Sequence, residues 1–177
     1  MQKTRASIRY AKALFQLALE NTKTKEVLND LIITSELINT EEELNSIITN
    51  PTIKQNKKEK LFRKLFENNI DPITMSFIIL VIKKGRESIF VEITNKYMEI
   101  YNLHNNISVV DVVSANPISD NLKERIKEKT SFRGGEVQLN ETLDKKLLGG
   151  FIIKRGDLQY DASIRKKLNN AKRAFKL

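Results

Sequence analysis

Apolar positions in the first hundred residues recur at helical spacing, and no glycine interrupts them before Gly85. The pattern predicts six helices: 4–20, 24–39, 41–49, 54–68, one opened by Asp71-Pro72 and closed at Gly85, and 88–103. Their punctuation has local causes. Asn50-Pro51 stops the third. Proline at the start of the fifth removes only an amide that the helix leaves unbonded. Gly85 suits the left-handed residue that ends many helices.

The period changes after His104-Asn105-Asn106. Residues 107–115 are valine-rich and end at Asn116-Pro117, which reads as a strand. Ser119 opens a helix to residue 130. Strands at 136–140, at 151–154 and up to Tyr160 are separated by Gly134-Gly135, Gly149-Gly150 and Gly156-Asp157. Asp161 reads as the cap of a last helix, 162–176, with Ile164, Leu168, Ala171 and Phe175 in one stripe. The fold class is therefore mainly α: an N-terminal six-helix bundle, 1–105, and a small C-terminal α/β domain, 106–177.

The first helix carries more apolar surface than one core contact uses. Arg5, Arg9, Lys12, Gln16 and Glu20 occupy an arc of roughly 80°, and apolar residues fill most of the rest. The segment 73–82 is apolar almost all round. Either both helices are wholly buried, or each turns one side to the core and the other to a partner helix. The sequence leaves both open.

Composition narrows the chemistry. The 177 residues include no cysteine and one histidine, His104, which excludes disulfides, thiolate metal sites and multi-histidine zinc sites. No phosphate-loop or dinucleotide-binding glycine pattern is present. Gly149-Gly150 precedes a strand and reads as a turn or bulge. Lys57-Lys58 and Arg165-Lys166-Lys167 read as solvated faces. No nucleophile, base and orienting group can be assembled, so no catalytic residue, metal or cofactor is expected. The net charge of +9 divides into +3 for residues 1–105 and +6 for 106–177. A basic C-terminal half invites acidic partners, anionic surfaces or nucleic acid. A nucleic-acid-binding module is the alternative reading, without the interleaved aromatics of a single-strand platform.

Three separated signatures carry a family resemblance: Arg9-Tyr10-Ala11-Lys12-Ala13-Leu14-Phe15; Asn50-Pro51-x-Ile53 with Lys84-Gly85-Arg86; and Gly149-Gly150…Gly156-Asp157…Asp161-x-Ser163-Ile164-Arg165. The chain resembles the delta subunit of F-type ATP synthase, counterpart of the mitochondrial oligomycin-sensitivity-conferring protein. The resemblance implies a non-enzymatic stator subunit in proton-driven ATP synthesis. It would link the alpha/beta catalytic head to the peripheral stalk and would not bind nucleic acid. A groove between the first and fifth helices would receive the N-terminal helix of an alpha subunit, through Tyr10, Ala13, Leu14 and Leu17 facing Ile79, Leu80 and Lys83. The C-terminal domain would engage the stalk b subunits through Phe151, Ile152, Ile164, Arg165, Leu168 and Phe175. Membrane association would be indirect. The expected location is the cytoplasmic side of a bacterial cell membrane or, alternatively, the stromal side of a plastid thylakoid.

Overall fold

The computed structural model describes residues 2–66, 69–131, 134–156 and 158–174. The elements follow as α1 (Gln2–Glu20), α2 (Thr24–Thr40), α3 (Glu42–Thr49), α4 (Gln55–Phe66), α5 (Pro72–Lys83), α6 (Phe90–His104), β1 (Ser108–Ser114), α7 (Asp120–Thr130), β2 (Val137–Leu143), β3 (Phe151–Arg155), β4 (Leu158–Asp161) and α8 (Ile164–Ala174). They form two compact units, Met1–Tyr101 and Asn102–Leu177. The mainly helical architecture with a small C-terminal sheet matches the expectation from sequence.

The core of the first unit gathers Leu14, Phe15 and Ala18 of α1, Val27, Leu31 and Ile38 of α2, Phe62 and Phe66 of α4, and Ile93 and Tyr97 of α6 around α5. Tyr97 is fully buried, meets the ring of Phe15 edge-on at 5.6 Å, and donates its hydroxyl to the Thr24 carbonyl at 3.0 Å. A buried phenol without such an acceptor would be costly. Burial, with Tyr101 and Glu26 nearby, holds that phenol well above its ordinary pKa.

Lys58 departs from the solvated face expected of its lysine run. It is 2% exposed, donates to the Ile48 carbonyl at 2.6 Å, and pairs with Glu87. Its position in α4 explains this, because Lys58, Phe62 and Phe66 are spaced by four and share the inward face. Glu87 lies in a 3₁₀ turn, Glu87–Ile89, which takes the first two residues of the sixth helix expected over 88–103.

The second unit holds a four-stranded sheet in the order β2-β1-β3-β4. β1 and β2 are parallel through the α7 crossover, and the other pairs are antiparallel. Val110, Val112, Ile118 and Ile126 form its small core. β2 runs on to Leu143, beyond the expected strand. Ser119 sits at the α7 N-cap, but its side chain makes no capping bond. The last helix begins at Ile164, two residues later than expected. Asp161 ends β4 and accepts the Ser163 amide at 2.9 Å, while the Ser163 hydroxyl accepts the Lys166 amide at 3.2 Å. Ser163 is thus the cap, and Asp161 makes the turn leading to it. The glycine pair is structural. A Cβ on Gly150 would stand 2.5 Å from the Ala162 carbonyl oxygen, and one on Gly149 2.6 Å from Ile164 Cδ1.

Two helix ends of the first unit share one device. After α5, Gly85 at φ 61° donates to the Ile82 carbonyl and Arg86 to that of Val81. After α1, Thr22 and Lys23 donate in the same way to Leu19 and Ala18, with Thr22 at φ 56°. A β-branched residue resists that conformation, which glycine accepts freely. Thr22→Gly is therefore expected to stabilise the fold by about 1 kcal/mol, read as a higher urea midpoint at unchanged slope. An unchanged or lower midpoint would show that Thr22 is unstrained.

Candidate functional site

α5 is the helix against which the candidate groove is built, and its start is held by a polar cluster. Asp71, its N-cap, accepts the Ile73 amide at 2.9 Å and pairs with Lys23 Nζ at 2.6 Å. Asp30 of α2 accepts the Asp71 amide at 2.8 Å and the Thr74 hydroxyl at 2.9 Å. Lys23 follows the end of α1, so that end meets the beginning of α5. Further along, the rings of Tyr10 and Phe77 meet edge-on at 6.3 Å. These two contacts run α1 and α5 side by side in opposing senses.

A strip of apolar side chains flanks this ring contact. On α1, Ala11, Leu14, Phe15 and Ala18 face the core. At 100° per residue, Ala6, Tyr10, Ala13 and Leu17 fall in a neighbouring strip of roughly 60°, between the core face and the charged arc. Ala13 and Leu17 are exposed, Leu17 at 45%, and Ala6 and Tyr10 are half-buried. On α5, the residues beside Phe77 on the helix surface are half-buried Ile73 and Leu80, 45% exposed. Arg9 and Lys12 of α1 and Lys83 of α5 are exposed near the strip; Lys83 lies 3.8 Å from Glu59. The result is an apolar strip with cationic margins along the expected channel, chemistry suited to one side of an amphipathic helix.

Two residues expected in that channel belong to the core. Leu14 is 2% exposed and Ile79 is buried. Leu14 stands four residues from Tyr10 on the inward side, and Ile79 is turned 100° from its neighbour Leu80. Tyr10, Ala13, Leu17, Leu80 and Lys83 remain. Ile73 and Ala6, which sequence reasoning did not select, complete the strip; their spacing of seven from Leu80 and of four from Tyr10 was the available signal.

The C-terminal candidates do not form one surface. Phe151 lies on the core face of the sheet and Ile152 on the other, because adjacent strand residues alternate. Ile164, Arg165 and Leu168 are exposed on α8. Phe175 lies outside the described residues. Among the described residues no His, Asp and Glu group could hold a metal ion, and no catalytic constellation is assembled.

The comparisons with known proteins agree across the whole chain. Residues 6–175 match the family model described as ATP synthase delta (OSCP) subunit. The chain belongs to that family. It is 36% identical over 174 residues to an ATP synthase subunit delta of Flavobacterium psychrophilum, covering 98% of each protein. It is 33% identical over 175 residues to that of Cytophaga hutchinsonii, covering 99% of this chain and 96% of the relative. It shares its fold with a chain of the Toxoplasma gondii mitochondrial ATP synthase hexamer, with a TM-score of 0.74 at 19% identity, each chain covered to 97%.

In this member of the delta family Asp71 caps the start of α5, which yields a pH prediction. Burial alone would raise the Asp71 carboxyl. The Lys23 hydrogen bond, the Ile73 amide and the Lys23 charge outweigh it and hold the pKa below the ordinary carboxylate range. A depressed folded pKa adds stability above the unfolded value of ~3.9, lost as the pH falls through the folded value. Asp71→Ala should cost about 1 kcal/mol near neutral pH. The gap in thermal midpoint between variant and parent should narrow in acid. A gap of constant size from neutral pH into acid would show that the ionised carboxylate contributes nothing.

Proposed function

We propose that this chain is a non-catalytic stator adaptor of an F-type ATP synthase. The N-terminal bundle holds the N-terminal helix of an alpha subunit in the channel between α1 and α5. The C-terminal domain engages the b subunits of the peripheral stalk. Between them the chain resists the torque that a turning rotor exerts on the head during proton-driven synthesis. Membership of the delta family supports this reading. The observation that carries it is the open strip on α1 and α5, with Ala13, Leu17 and Leu80 exposed and Ile73 half-buried beside the Tyr10–Phe77 contact.

The physical case is one of size and charge. A single helix laid in the channel would cover Leu17 and Leu80, which are otherwise wetted. Ala13 would let its backbone approach closely. Arg9, Lys12 and Lys83 would steer and orient acidic residues on its flanks, adding on-rate and register more than affinity. No described helix is long and apolar enough to cross a membrane, so association with the cytoplasmic side of the cell membrane is proposed to run through the partners.

The test is calorimetric titration of the chain with a peptide of the first ~20–25 residues of the same organism's alpha subunit. One-to-one binding is expected. Leu17→Asp and Leu80→Asp should each weaken it roughly thirtyfold or more while circular dichroism stays unchanged. Leu14→Asp should instead unfold the bundle, because it buries a charge. Undiminished binding by both exposed-site variants would remove the channel from the interface. Absence of peptide binding, with salt-sensitive retention on nucleic acid, would favour the nucleic-acid-binding alternative.

A further inference from the structure

Most of α5 is enclosed, but its last turn is not. Lys83, Lys84, Gly85 and Arg86 are all exposed, and the turn begins at exposed Leu80, whose carbonyl accepts the Lys84 amide at 3.0 Å. The first residues of α4 brace this turn at three places. Gln55 lies beside the closing glycine, its Nε2 3.8 Å from where a Cβ on Gly85 would stand. Lys58, three residues on, is turned inward and pairs with Glu87. Its neighbour Glu59 accepts Arg63 Nη2 of the same helix at 3.1 Å and reaches Lys83 of α5 at 3.8 Å. Lys83 and Leu80 stand three apart, so the braced turn is the one that carries the outer end of the apolar strip.

The middle contact sets this brace apart from a surface ion pair. A lysine is almost never fully inside unless paired. The Lys58 side chain is 2% exposed and that of Glu87 13%. The ammonium also donates to the Ile48 carbonyl in the last turn of α3, where a cation suits the helix dipole. Three segments therefore meet at one charge: the end of α3, α4, and the 3₁₀ turn that follows α5. Glu87 Oε2 is buried with no hydrogen-bond partner among the described residues. Taking two charges out of water is costly, and an incompletely bonded pair regains only part of that cost. Apolar side chains of similar volume often stabilise such a site as well or better. They lack direction, however, whereas a hydrogen-bonded pair is satisfied over a narrow range of distance and angle.

We propose that Lys58 and Glu87 are positioning residues for the apolar strip: their buried pair holds the last turn of α5, and with it the outward aim of Leu80 and Lys83, while adding little net stability. This rests on the adaptor reading above and names groups off the contact surface that set its geometry. The coupling is short. The amides of Gly85 and Arg86 close α5 on the carbonyls of Ile82 and Val81, and Glu87 is the next residue in the chain. Anchoring Glu87 on Lys58 therefore anchors the closing turn, and Lys58 in turn is fixed by the end of α3.

The test compares the full chain with its double variant Lys58→Met, Glu87→Leu, which fills the site with apolar side chains. The urea midpoint is expected to equal or exceed the parent's. The alpha-subunit peptide should nevertheless bind roughly fivefold more weakly or worse, and the Lys84, Gly85 and Arg86 amides should exchange with solvent roughly tenfold faster. A purely structural pair would move neither readout in a variant of undiminished stability. Full peptide affinity in the folded double variant would overturn the proposal and leave the adaptor reading intact. A double variant that fails to fold, or whose midpoint falls, would also overturn it, because the pair would then be a stabilising contact. Failure of the unmodified chain to bind the peptide would instead count against the adaptor reading. Amide exchange would then decide the present proposal: parental rates in the double variant would overturn it, and faster rates would uphold it.

Discussion

Burial of α5 is the constraint on which the first unit turns. Thr74, Met75, Phe77, Ile78, Ile79, Val81 and Ile82 are all buried in a helix of twelve residues. A helix so apolar must be enclosed on most of its circumference, and α1, α2, α4 and α6 supply the enclosure. Enclosure leaves α5 little freedom to slide. Its start is tied to α2 and to the end of α1 through Asp30, Asp71 and Lys23, and its end is closed by Gly85. The side left open, with Ser76 and Leu80 exposed and Ile73 half-buried, is therefore presented at a fixed rotation beside Tyr10. Each buried neighbour of Leu80 helps to aim it outward.

The second unit meets the same physics with fewer elements. On one face of its four-stranded sheet Val110, Val112 and Ser114 of β1 are buried, Phe151 and Ile153 of β3 half-buried, and Leu158 and Tyr160 of β4 exposed. Among the described residues its core cluster has four buried apolar residues where the first unit has many more. A small core of this kind gains comparatively little by burial on its own.

Much of this architecture is legible in the residues, because it follows from spacing. The glycine-free helical run, Asp71-Pro72 and Gly85, and the valine-rich strand each have a local cause that packing did not override. What escapes a linear reading is rotation and depth. Leu14 and Leu17 are equally apolar, yet one faces the core and the other water, since only tertiary packing decides which part of a wide apolar arc is covered. Phe151 and Ile152 were grouped as neighbours in sequence, though a strand sends them to opposite faces. Lys58 looks like one lysine in a run until Glu87 and the Ile48 carbonyl meet it inside. Ser163 displaced Asp161 as the helix cap because Asp161 still belongs to β4.

The strip along α1 and α5 combines a narrow apolar floor, cations along its margin, and the width of one helix. A contact of one helix is small compared with stable protein–protein interfaces, which bury about 1,600 Å². Under the adaptor reading, a head contact or a stalk contact of that size would on its own release its partner readily. Joined in one chain, each binding event raises the effective concentration of the other site, and the linked pair can outlast either contact by orders of magnitude. Under the adaptor reading proposed above, a tether between head and stalk would have to remain attached while load on it rises and falls with each step of the rotor. Two modest contacts on one continuous backbone would meet that demand without a large apolar surface exposed before assembly, which in a free subunit would favour aggregation.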